Sequence, residues 1–287
     1  METANLRARL GIHTATDRVE FILNNILLLA LIALGVYFTT QTDHFLSRSN
    51  FLTIMENQAA LGVVVVPLAL LVIAGHVDLS IGSNAAFGGM ITALAATEWG
   101  LPSGLAFVLG VVAGAAAGAV NGLMCAHLRF NPIIVTLGML SLLRGATLLI
   151  KQEQVFGLGG VFHTVGAGHV IGVPNTLWFV LATFVLGAVF LALTPWGRHI
   201  YAIGVNPQAA FLSALPVRWL PFWLYVATGA GAGLSGVLLT SRLDGVSPDE
   251  LRRNLSLLDS ASLFLLPLDP NKDPSSLLRS LFARIVP

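Results

Sequence analysis

Asp78 is the side chain of this sequence with most to explain. It stands in GHVDLSIGS, Gly75–Ser83, between two long apolar runs, where an ionised carboxylate is costly to bury. The reading we favour is structural. Asp78 or Ser80 caps the helix that follows by accepting its free backbone N–H groups, and Gly75 and Gly82 permit the turn. Two chemical readings compete with it. Asp78, Ser80 and Ser83 can border a path on which carboxylate, hydroxyl and backbone groups meet a hydroxylated solute, or Asp78 can relay protons. Asn121 and Thr136 suit the same path, because amides and hydroxyls exchange hydrogen bonds without trapping a charge. Their plainer role is hydrogen bonding between helices, which in membranes averages under ~1 kcal/mol per pair. Asn131-Pro132 marks a turn into a helix. Arg144 lies near one end of an apolar run, where snorkelling accounts for it, and Glu56 is its candidate counter-ion.

Other chemistries lack their residues. Cys125 is the single cysteine of the 287 residues, so no disulfide framework or thiolate metal cluster can form, and it reads as a small packing residue. His13, His44, His76, His127, His163, His169 and His199 are scattered over run ends and loops and read as polar end residues. No G-x-x-x-x-G-K-[ST] phosphate loop is present, so the chain is not expected to hydrolyse ATP or to act as an enzyme. We expect no cofactor, no metal and no nucleic-acid partner.

The elements that must position these residues are membrane helices. The chain is 55% hydrophobic and 10% charged, against roughly 25% charged in a soluble domain. About 20 apolar residues cross the hydrocarbon core, and lipid leaves helices as the spanning solution for such runs. Seven candidates precede residue 241, at 21–38, 52–74, 81–97, 103–126, 132–150, 176–193 and 222–240. The third is short and Gly-rich and reads as tilted or broken. The N-terminal stretch is too polar for a cleaved signal. The fold class expected is an all-α polytopic bundle.

Arginine and lysine orient it. With the N-terminus in the cytoplasm, Arg7, Arg9, Arg18, Arg129, Arg198 and Arg218 fall inside, against Arg48 and Lys151 outside; cytoplasmic loops carry that excess. Residues 151–175 then form an external polar, Gly-rich loop. Gly110, Gly114, Gly118 and Gly122 recur every four residues along the fourth span, a ridge that lets two backbones approach closely. Gly229 and Gly233 repeat the spacing in the seventh.

Three segments carry a resemblance to a known family: GHVDLSIGS, NGLMCAHLRFNPIIVTLGMLSLLRG (Asn121–Gly145) and TPWGRHIYAIGVNPQAAFLSALPV (Thr194–Val217). In order, spacing and wording they resemble the permease subunits of ribose-type ABC sugar importers, over residues 20–242. The resemblance implies import of a monosaccharide such as ribose, xylose, arabinose or rhamnose across the bacterial inner membrane. It also implies a cytoplasmic ABC ATPase subunit, a second permease copy or paralogue, and a periplasmic sugar-binding protein as partners. A branched-chain amino-acid permease and an ion-coupled secondary carrier are the alternatives. In such permeases a short helix at the inner face docks into the ATPase and couples nucleotide-driven motion to the spans. Residues 194–221 match that loop, with a break at Pro195, a turn at Asn206-Pro207 and a helix Gln208–Ala214 ended by Pro216. Gly204, Asn206, Pro207, Ala209, Ala210, Leu212 and Ser213 are its candidate residues, the two alanines permitting close approach and Leu212 offering an apolar knob.

The chain departs from the family pattern at Val205, Phe211 and Ala214, where relatives usually carry Gly, Arg and Gly. After Ser241-Arg242-Leu243 the wording changes altogether: residues 242–287 carry 12 charged side chains and 5 prolines. We therefore expect a cytoplasmic segment 1–20, a permease domain 21–241 and an atypical polar tail 242–287. The tail reads as the product of truncation or a frame shift that could leave the chain inactive, or else as a cytoplasmic tail if one assigned span does not cross.

Overall fold

The computed structural model describes residues 25–246. The expected segment 1–20 and the tail beyond Val246 lie outside the described residues. Ten helices and four two-residue strands are seen among them, an all-α architecture. Two units divide between Ile54 and Met55. In the first, α1 (Ile26–Gln41) is apolar but 16 residues long.

The second unit holds most of α2 (Arg48–Ile73), α3 (Ile81–Thr97), α4 (Ser103–Gly122), α5 (Pro132–Ile150), α6 (Gly160–Ala167), α7 (Asn175–Leu193), α8 (Pro195–Val205), α9 (Pro207–Leu212) and α10 (Trp219–Arg242). A single π-turn, Leu123–His127, prolongs α4. Among the described residues five helices are long and apolar enough to cross a membrane: α2, α4 with its π-turn, α5, α7 and α10. The helix α3 occupies the expected third span, and it is neither broken nor lipid-facing. It is continuous over 17 residues, 12 of them buried.

That burial follows from three glycine-bearing faces meeting. A Cβ placed on Gly114 would strike the Gly229 carbonyl and come within 2.7 Å of Gly233 Cα. One on Gly118 would strike the Tyr225 carbonyl, and one on Gly122 would stand 3.0 Å from the Phe222 carbonyl. A Cβ on Gly110 would be 2.8 Å from the Gly88 carbonyl, and one on Gly88 2.9 Å from Gly233 Cα. So α4 and α10 pack along their lengths, with α3 laid against both through Gly88 and Gly89. Backbone-to-backbone packing of this kind supplies the dispersion that hydrophobicity cannot supply between helices in lipid.

The 151–175 segment is more ordered than a polar loop. Strand β1 (Val155–Phe156) pairs antiparallel with β4 (Gly245–Val246), α6 follows, and β2 (His169–Val170) forms a hairpin with β3 (Val173–Pro174). The hairpin turns on Ile171 and Gly172, both at positive φ (55° and 71°), the geometry of a type I′ turn. The β1–β4 pair puts the end of α10 beside this loop, so α10 crosses the bundle.

Candidate functional site

At one end of the second unit, α8 and α9 form a compact element. Thr194 caps α8: its hydroxyl accepts from Gly197 N at 3.2 Å, and Pro195 takes the first helical position, where its missing N–H costs nothing. Gly197, Ile200 and Ile203 recur every three residues and face inward, buried. Asn206 then caps α9, its side-chain oxygen accepting from Gln208 N and Ala209 N at 3.0 Å each. The short helix is Pro207–Leu212, not Gln208–Ala214. It ends early because Ala214 adopts φ +57°, reversing the chain two residues before Pro216.

The faces of α9 divide sharply. Ala210 is buried in an inner cluster that also holds Leu71, Ile200, Leu220 and Tyr225, so it seats the helix on its own protein rather than offering a surface. Ala209 is exposed. Val205 and Leu212 are each 85% exposed and Phe211 60%. A cavity of about 550 Å³ opens between α9 and the end of α4, lined among others by His76, Arg129, Gln208, Phe211 and Arg218. Arg129, Arg198 and Arg218 are all exposed at this end.

Behind α9 lies a buried polar cluster on the connection between α2 and α3. Asp78 is 1% exposed, and its Oδ1 accepts from Ser80 N at 2.9 Å and from Ser80 Oγ at 2.6 Å. The Asn121 amide of α4 donates to both carboxylate oxygens, at 3.4 and 3.3 Å, and to Ser80 Oγ at 2.9 Å. The expected cap is only half realised. Ser80 occupies the N-cap position, but its hydroxyl is spent on Asp78 and accepts nothing from the helix. Tyr225 of α10 completes the enclosure, donating to the Val77 carbonyl at 3.1 Å, with His76 edge-on to its ring.

The remaining candidates do not join this cluster. Thr136 is buried, but its hydroxyl donates to Pro132 O, one turn back in its own helix. Ser83 is buried on α3. Asn131 caps α5 by accepting from Ile133 N. Arg144 is exposed, and Glu56 turns instead to Arg242, 3.7 Å away. That pairing corrects the expected one. Sequence reasoning passed over Asn84, whose amide donates to Gly114 O at 3.1 Å and ties α3 to α4; an amide in an apolar helix was the available signal. Among the described residues no three His, Cys, Asp or Glu converge to hold a metal ion.

Lys151, in the loop at the opposite end, donates to Glu98 at 2.7 Å, and that carboxylate holds its amine above the usual lysine range.

Residues 50–264 match the family described as "Branched-chain amino acid transport system / permease component". The match runs past Arg242, where the motif resemblance stops. The L-arabinose ABC transporter permease protein of Azospirillum brasilense is 32% identical over 250 residues, covering 84% of this chain and 69% of that protein. The D-allose transport system permease protein of Escherichia coli K12 is 30% identical, covering 76% and 67%. The ribose import permease protein of the same strain is 31% identical, covering 77% and 70%. No solved structure matches. Apolar helices packed through glycine, with a small helix at one end, are therefore the form taken here by a multi-pass membrane protein that belongs to the branched-chain amino acid transport system / permease component family.

Proposed function

We propose that this chain is the translocation subunit of an ABC importer for a monosaccharide in the bacterial inner membrane. On this reading a separate ATPase subunit drives it, a periplasmic sugar-binding protein supplies it, and a second permease copy or paralogue completes the pathway. The observation that carries the proposal is the capped helix α9, which turns Phe211 and Leu212 out into solvent at the end rich in exposed arginine. Large apolar side chains held outward by two caps, at a membrane's aqueous face, suit a protein partner better than water. The names of the relatives point to sugars as cargo.

Sidedness supports the same reading. Arg129, Arg198 and Arg218 are exposed at the α9 end, and together with Arg7, Arg9 and Arg18 before the first apolar run they make up the arginine excess over the short connections that the positive-inside rule assigns to the cytoplasm. An ion-coupled carrier would need a titrating acid open to a path, whereas Asp78 is enclosed by its donors. The test is co-purification of an ATPase subunit with the tagged chain. Leu212→Glu is expected to reduce the captured ATPase about tenfold, as loss of a central apolar contact does, with permease abundance unchanged. Full capture by Leu212→Glu and by Phe211→Glu would refute the docking role of α9.

A further inference from the structure

The connection Ala74–Ser80 touches both the α8–α9 element and the glycine-packed core, as α10 does through Leu220, Leu224 and Tyr225. On one side, Gly75 and Gly204 meet backbone to backbone: a Cβ on Gly75 would lie 3.8 Å from Gly204 Cα, and one on Gly204 would strike the Ile73 carbonyl. Ala74 shares the inner cluster with Ile200, Ile203 and Ala210. On the other side, Asp78 and Ser80 are held by Asn121 of α4, and Val77 is held by Tyr225 of α10.

We infer that Asp78 is a positioning residue for coupling: through Asn121 it clamps the 74–80 connection to α4, so that displacement of α8–α9 is delivered to the α3–α4–α10 core rather than absorbed in the connection. The inference rests on α9 being the ATPase-docking element. A clamp of this kind needs no charge. The Asn121 side-chain oxygen has no hydrogen-bond partner. With Asp78→Asn, the amide of Asn121 can rotate, so that its oxygen accepts from the introduced amide nitrogen while the introduced amide oxygen still accepts from Ser80 N. Asp78→Ala removes the acceptor altogether. A proton relay would be lost equally in both variants.

The test reconstitutes the full chain in liposomes with the ATPase that co-purifies with it and its binding protein. It measures radiolabelled D-ribose or L-arabinose accumulated per phosphate released. Asp78→Ala is expected to lower that ratio about fivefold or more, the scale of an ordinary coupling energy, while ATPase capture stays normal. Asn121→Ala is expected to do the same, and the double variant to be no worse than either single one, because both act on one contact. Asp78→Asn is expected to restore the ratio.

If Asp78→Ala does not accumulate in the membrane, Tyr225→Phe, which deletes only the hydroxyl on Val77, must lower the ratio in its place. An unchanged ratio in these variants, or failure of Asp78→Asn to restore it, overturns the clamp while leaving the importer reading intact. If the unmodified chain captures no ATPase or accumulates neither sugar, the importer reading falls and the clamp falls with it.

Discussion

At the scale of single residues, the glycines make the sharpest predictions, because the space around each is so different. Gly114→Ala would press a methyl group onto the Gly229–Gly233 backbone, which cannot yield as a side chain can. We expect a loss of about 1–3 kcal/mol from overpacking, read as a lower midpoint of thermal unfolding in detergent. Gly138, on α5, has nothing within 4 Å of its would-be Cβ, and Gly138→Ala should be neutral or raise the midpoint by its better helix propensity. Ala214 offers the opposite case. It holds φ +57°, a region that costs a residue with a Cβ about 1–2 kcal/mol, so Ala214→Gly should stabilise the chain by about 1 kcal/mol. The glycine that the family resemblance leads one to expect there would have a conformational reason. At position 205 it would have none, since Val205 ends α8 with ordinary backbone geometry.

At the scale of elements, the junction of α8 and α9 was legible because caps are local. Thr194-Pro195 and Asn206-Pro207 are each a cap followed by a proline at the first helical position, and both helices start there. The inward turn of Ala210 was not legible. A six-residue helix shows too little periodicity to separate its faces, and the residues that receive Ala210 come from α2, α8 and α10. The 151–175 loop allows a pH prediction. The raised amine of Lys151 favours the charged, paired state, so any stabilisation is complete below the usual lysine pKa and lost only as pH rises through the raised one. Unfolding midpoints of the native chain and Glu98→Gln should therefore differ by the same small amount at every pH from 6 to 9, roughly the range below lysine's ordinary value. No difference between the two at any pH in that range would show that the pair does not persist in solution.

At the scale of the whole molecule, the two ends of the bundle can be told apart by labelling. Cys125 is buried, so cysteines introduced at the exposed positions Ile171 and Leu212 provide clean probes. A membrane-impermeant maleimide applied to spheroplasts should label Ile171→Cys and spare Leu212→Cys, with the reverse in inside-out vesicles. Labelling of both from one side would contradict the crossing of α7, which runs between the two ends.

What the sequence by itself determined is what short-range chemistry controls: where apolar runs begin and stop, where a cap or proline starts a helix, and which helix bears a glycine ridge. The all-α class and the boundaries of α3, α5 and α10 follow from these to within a few residues. Only the tertiary structure decided who meets whom. It brought Asn121 to Asp78 across 43 residues of chain, gave Glu56 to Arg242 rather than Arg144, and joined β1 to β4 across the bundle. It also set the α4 ridge against glycines of two helices at once. The reason is physical. A polar group in an apolar chain announces that it needs a partner, but the partner is chosen by how whole helices pack, and that choice leaves no trace in local spacing.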